Sequence, residues 1–332
     1  MNTLTTSGTS LCDSKGQLNP AAIGFSSHPA VNYAIPGRYG RRKRWNHWCI
    51  INPQWMLAIT HADFDYVGLA SAHFVDLVSG EHYSFSQKRL FARDSSLPDQ
   101  PFDDHTFNHP LLQLRVSATA HNSTITLSAS NHGGQAIQAM LHIQRPAHLE
   151  SANLVAPLGR NSFHASSRHL GLPCTGSIQL NGRLHESAGT QSYASLDFGR
   201  GVWPFQSQWT RAAFAAPGGI AGNFGTGWTD HSGLSENTLW FGGQAQHLTS
   251  PIRIEVESSE LMATRQLTSA DGKVQLSFTP SQKHVTRRNF GLLYINNRQL
   301  FGRFSGTLRG DQNECVPVQH ALGWLGEAEA RW

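Results

Sequence analysis

Two carboxylates six residues apart, Asp230 and Glu236, stand in the run NFGTGWTDHSGLSEN at 223–237, with Trp228 ahead of the first and Asn237 directly after the second. A loop or hairpin that brings two carboxyl groups within a few ångströms divides them into proton donor and proton acceptor, because the charge on one raises the pKa of the other. A carboxyl group set against the Trp228 indole loses solvation, which raises its pKa too. Such a pair suits acid–base work on an allylic or glycosidic substrate. In the competing arrangement Asp230 caps a turn through backbone amides and Glu236 is a solvated strand residue.

A second concentration follows the Gly199-Arg200-Gly201 turn, where Trp203 and Trp209 bracket Pro204-Phe205. Flat aromatic side chains wall a pocket at low entropy cost and stack on sugars or isoprenoid chains; the same rings also serve as plain packing between domains. Arg200 offers a fixed cation to an anionic or oxygenated group. A third group, His61, Asp63 and Asp65, lies with Asp76 in THADFDYVGLASAHFVD at 60–76. On a strand the first three point to one face. Unpaired charges in an apolar site cost several kcal/mol, so that face either lines a wet cavity, with His61 and Asp65 as substrate contacts, or meets solvent, the commoner arrangement.

Other chemistries lack their motifs. The 18 histidines contain no HxH or HExxH, and Cys12, Cys49, Cys174 and Cys315 lie far apart, so neither a zinc cage nor a disulfide scaffold is indicated. There is no GxSxG elbow, and Gly199-Arg200-Gly201 does not fit GxGxxG. No metal and no cofactor are expected. The net charge is +4, and the clearest basic run is Arg41 to Arg44 beside Trp45 and Trp48. A protein that tracks a phosphate backbone spreads its cations over a face, so no nucleic-acid partner is expected. The first twenty residues carry neither a cationic lead nor an apolar stretch, and no 18 consecutive residues are apolar. A cytoplasmic protein without a membrane span is the expectation.

The elements that must position these residues are strands. Charged residues are only 14% of the chain, while glycine reaches 31 and proline 15, which supplies turns and few sites for long helices. Ile178 and Leu180 alternate with polar residues up to Asn181-Gly182, and Leu184 resumes beyond it, the signature of a two-residue hairpin. Asp271-Gly272 leads into Val274, Leu276 and Phe278. Ser79-Gly80 separates Phe74, Val75 and Leu77 from Tyr83 and Phe85, and Asn131 to Gly134 separates Ile125 and Leu127 from Ile137 to Ile143. Helical periodicity is weak, with candidates only at 151–155 and 326–331. The chain is therefore expected to be all-β, built as sandwich or barrel. Its length suits about two domains: an extension at 1–19, a first β-domain at 20–190 and a second at 191–332.

Three stretches carry a resemblance: CDSKGQLNPAAIGFS at 12–26, GRYGRRKRWNHWCI at 37–50, and LDFGRGVWPFQSQW at 196–209 followed by the 223–237 run, with FGRFSG and LGW near the C-terminus. Together they resemble the DUF2804 family over essentially the whole chain. That family is similar in architecture to the tandem lipocalin-like group of carotenoid 1,2-hydratases and AttH-type proteins. The resemblance implies two antiparallel calycin-like barrel or sandwich domains with a ligand cavity reaching their interface. In the hydratases a motif resembling W-x-D-x-E-W offers an acid to the substrate double bond; YASLDFGRGVW matches Asp197 to that acid, with Gly199 at the Glu position.

The expected function is a cofactor-free acid–base enzyme of the hydratase, lyase, isomerase or cyclase type. Its substrate would be a bulky, partly apolar small molecule. Asp197, Asp230 and Glu236 are the candidate acids and bases, Trp203, Trp209 and Trp228 the walls, and Arg200 and Asn237 polar contacts. The alternatives are a glycoside hydrolase-like enzyme using paired carboxylates and a carrier for a lipid or pigment.

Overall fold

The computed structural model describes residues 8–187, 192–290 and 293–331. Almost all of the regular structure is antiparallel strand, arranged as two large sheets. The first sheet has 14 strands and closes nearly into a barrel, and the second has nine and forms a half-barrel. The expected all-β class and paired barrel-like architecture hold.

The hairpins fall where their turn residues stand. Leu180 pairs with Arg183 across Asn181 and Gly182, both at positive φ (49° and 84°), as a type I′ turn requires. The two weakly helical stretches are strands. Residues 152–159 pair with Ser162–Leu180, and 326–331 pair with neighbours on both sides. Ladder hydrogen bonds to two partners outweigh a weak local preference.

Alternation of burial separates the outer wall from the contact between sheets. In Asn122–Ser130 and Ala136–Gln144 buried and exposed residues alternate, as on a sheet with one wet face. Alternation fades in Trp55–Asp63, Ser162–Leu180 and Tyr193–Val202, which are buried on both faces along much of their length. One face packs into the first barrel, which is filled by residues such as Tyr33, Trp48, Phe74, Phe107 and Phe198. The other face meets the second sheet: Cys49, Ile51, Met56, Ala58 and Val75 pack with Phe301, and Leu322 and Trp324 lie against them.

Tyr193–Val202 pairs with Arg42–Ile51 and Ser162–Leu180 in the first sheet, whereas Gln206–Ala216 belongs to the second. The chain therefore passes from the first sheet to the second through residues 203–205. Among the described residues no helix is long and apolar enough to cross a membrane.

Candidate active site between the sheets

Strand register brings the chemistry together. In Ser162–Leu180 the alternate residues His164, Ser166 and Arg168 stand opposite Gly201, Gly199 and Asp197 of Tyr193–Val202. His47 and Trp45 lie beyond, opposite Asp197 and Gly199. This row looks onto the second sheet, from which Arg211 and Glu236 arrive.

Arg168, Asp197, Arg211 and Glu236 form a buried ion cluster. Arg168 Nε donates to Glu236 Oε2 at 2.8 Å, and Arg168 Nη1 is paired with Asp197. Arg211 reaches Asp197 through Nη1 and Glu236 through Nε at 3.4 Å. Ser166 Oγ donates to Glu236 Oε2 at 3.1 Å and Trp45 Nε1 to Asp197 Oδ1 at 2.9 Å. Arg168 and Glu236 are each only 1% exposed, so no bulk water screens them. Burial alone would raise the Glu236 pKa, but Arg168, Arg211 and His164 outweigh it and hold the carboxyl at about 2. Burial, then Arg211, lowers Arg168 to about 9, which leaves it charged at neutral pH. Two cations and two anions thus cancel.

Next to the cluster stands an aromatic box. The His164 ring lies 5.8 Å from Trp45 in a stacked arrangement, 5.4 Å from Trp203 and 5.1 Å from Trp228. Trp209 closes the box at 5.1 Å from Trp203 and 5.3 Å from Trp228. The glycines of GRG make room for it: a Cβ on Gly199 would lie inside the Trp45 indole, and one on Gly201 would press on Trp203. His164 and Trp203 are buried, while Trp45, Trp209 and Trp228 keep partly exposed edges, so the box reaches the surface.

Neither ring nitrogen of His164 has a hydrogen-bond partner among the described residues. Burial pushes its pKa down to about 3, with Glu236 opposing and Arg168 and Arg211 adding to the shift. The imidazole is therefore neutral, with one donor and one acceptor unused. Desolvation, then Arg211 and Arg168, lowers His47 to about 4; its Nδ1 meets Thr60 Oγ1 at 2.8 Å.

The remaining candidates scatter. Asp230 is exposed and its Oδ2 accepts from Gly227 N–H at 2.8 Å, a turn cap. Glu236, by contrast, is buried in the ion cluster, and its pKa is depressed rather than raised. Asn237 Oδ1 accepts from Gly225 N–H at 2.6 Å and fixes the neighbouring strands. Arg200 sits on the opposite face of its strand from Asp197. Its Nη atoms donate to Trp45 O (2.7 Å), Gly199 O (2.8 Å), Asn46 Oδ1 (2.9 Å) and Pro98 O (2.6 Å). His61, Asp63 and Asp65 are all buried, not solvent-facing, and each has partners. His61 meets His105 at 3.0 Å and Ser95 Oγ at 2.7 Å, Asp63 pairs with Arg44, and Asp65 accepts from Arg42 Nε at 2.7 Å and Gly40 N–H at 2.7 Å. Asp65 lies beyond the end of Trp55–Asp63 at φ 69°, so strand alternation does not extend to it.

Where the sheets meet, a half-open space of about 20 Å³, lined in part by Cys49, Tyr193, Ala213 and Trp324, has room for about one water molecule.

Fold and site together define an all-β protein of a nearly closed barrel and a half-barrel, whose charged and aromatic side chains converge on the contact between the two sheets. The chain belongs to the DUF2804 family, a domain of unknown function, whose model matches residues 2–332. No curated protein matches it in sequence. Similar solved structures include kievitone hydratase from Nectria haematococca (12% identical, covering 98% of this chain and 96% of that chain, TM-score 0.49). Another is a putative AttH from Nitrosomonas europaea (10% identical, covering 88% and 92%, TM-score 0.44).

Proposed function

We propose that the protein is a cofactor-free acid–base enzyme of the hydratase or lyase type, with its reacting centre in the tryptophan box beside the ion cluster. The observation that carries this is His164, a fully buried imidazole with both nitrogens unpartnered among the described residues. A buried polar group without a partner costs about 1–3 kcal/mol, and a substrate that hydrogen-bonds to it removes that cost on binding.

Trp203, Trp209 and Trp228 suit a small, partly apolar or aromatic molecule, which reaches His164 by displacing the partly exposed Trp228. Neutral His164 then accepts a proton from water as the water oxygen adds to a carbon of the substrate double bond or, in the reverse sense, from a substrate hydroxyl as the C–O bond to the leaving oxygen breaks. The Glu236 charge stabilises the imidazolium that forms, and the proton returns to carbon or to the leaving oxygen. Glu236, held near pKa 2, is no proton donor at neutral pH; it and Asp197 set the field and orientation. The same clamping of both carboxylates by guanidiniums speaks against a glycosidase pair, and the filled first barrel speaks against a carrier.

The test is turnover of hydroxylated and alkene-bearing aromatic and isoprenoid molecules, followed by gain or loss of water. His164→Gln is expected to lower kcat by about 100-fold or more with the fold intact. Unchanged turnover in His164→Gln would remove the assignment.

A further inference from the structure

We propose that His73, His82 and His284 form a binding site for a divalent transition-metal ion of the zinc class, bridging the two sheets. His73 lies on Val67–Asp76 and His82 on Trp-free strand His82–Leu90 of the first sheet, while His284 lies on Val274–Phe290 of the second. One nitrogen from each of the three rings falls within 4.8 Å of the others. His82 Nδ1 and His73 Nε2 are 3.3 Å apart. Two imidazole nitrogens on one tetrahedral zinc ion stand about 3.4 Å apart, given Zn–N bonds of about 2.05 Å.

The other nitrogen of each ring faces an oxygen. His73 Nδ1 meets Ser84 Oγ at 2.7 Å, His82 Nε2 meets Gln282 Oε1 at 3.4 Å, and His284 Nε2 meets Thr286 Oγ1 at 3.1 Å. Outer oxygens that fix ring orientation and tautomer are the usual support of histidine metal ligands. They leave His73 Nε2, His82 Nδ1 and His284 Nδ1 for the ion. Three neutral imidazoles without a carboxylate select borderline ions such as zinc, cobalt, nickel or copper over magnesium or calcium. A fourth position remains for water or a ligand. Phe301, 6.3 Å from His73, supplies an apolar flank. This site is separate from the His164 box and does not depend on the function proposed for it.

The test uses the full chain without an added histidine tag, stripped by chelator and titrated with Co(II). One equivalent is expected to bind with the visible absorption of a four-coordinate site, to be displaced by Zn(II), and to raise the melting temperature. His82→Ala and His284→Ala should abolish that absorption, and Ser84→Ala should weaken Co(II) binding about 10-fold. Circular dichroism checks the fold of each variant. Absence of one-equivalent Co(II) uptake by the wild-type chain would overturn the proposal, and so would uptake that folded variants leave unchanged.

Discussion

The two faces of Tyr193–Val202 carry similar residues to different ends. On the inner face Arg200 is fully buried, yet all four oxygens it reaches are carbonyls of neutral groups, and its guanidinium lies 3.7 Å from the Phe198 ring. On the outer face Asp197 joins a cluster in which every charge meets an opposite one. Burial and charge alone do not separate a structural group from a functional one. What separates the faces is the adjoining imidazole: His61 inside has two polar partners, whereas His164 outside has none among the described residues.

The largest expected effect tests what the two faces share. His61, His164 and His169 are held near pKa 3, chiefly by burial, against an ordinary value of 6.5. Each stays neutral in the folded chain and takes up a proton on unfolding. Their stability contribution is complete above about pH 6.5 and falls as pH drops toward 3, by about 1.4 kcal/mol per pH unit for each imidazole. Glu236, near 2 instead of 4.5, adds a loss of the same sign below about pH 4.5. Urea unfolding as a function of pH should show stability falling steeply from about pH 6.5; a flat profile down to pH 4.5 would show that these imidazoles are protonated in the folded state.

A smaller effect separates the faces. Glu236→Gln leaves Arg168 and Arg211 sharing one carboxylate in a dry contact, and breaking a buried pair costs about 3–5 kcal/mol. Thermal unfolding that differs from wild type by under ~1 kcal/mol would mean that water enters the cluster. Asp230→Ala, which removes the acceptor of the Gly227 N–H at an exposed turn, should cost about 0.5–2 kcal/mol as for a lost cap, with turnover unchanged. Abolished turnover there would restore Asp230 to the site.

Much of the fold was legible in the sequence. Two-residue turns and period-two alternation located the hairpins, because those signals are local. The 196–209 and 223–237 runs contain Asp197, Glu236, Trp203, Trp209 and Trp228, while Trp45 of the box lies in the 37–50 stretch. Sequence periodicity says which residues share a face, but not whether that face looks into a barrel or out of it, and this misplaced Arg200 and His61. The Asp230–Glu236 pair failed for another reason: the turn at Asp230–Ser232 ends at Gly233 with φ 70°, leaving Asp230 in solvent while Glu236 runs into the contact. His164 had a faint signal, since His164, Ser166 and Arg168 alternate in NSFHASSRHL. Three polar residues on one face of an otherwise buried strand mark a polar contact, but only the pairing with Gly201, Gly199 and Asp197 gives it meaning.

The central claim is that His164 is a buried polar group kept without a partner for a ligand to meet. Thermal unfolding of His164→Leu, of similar volume, tests it without knowledge of the substrate. Removing an unsatisfied buried polar group is expected to leave stability unchanged or raise it by about 1 kcal/mol, while turnover is lost. A fall of more than about 2 kcal/mol would show that the imidazole is a satisfied structural group, and would contradict the account.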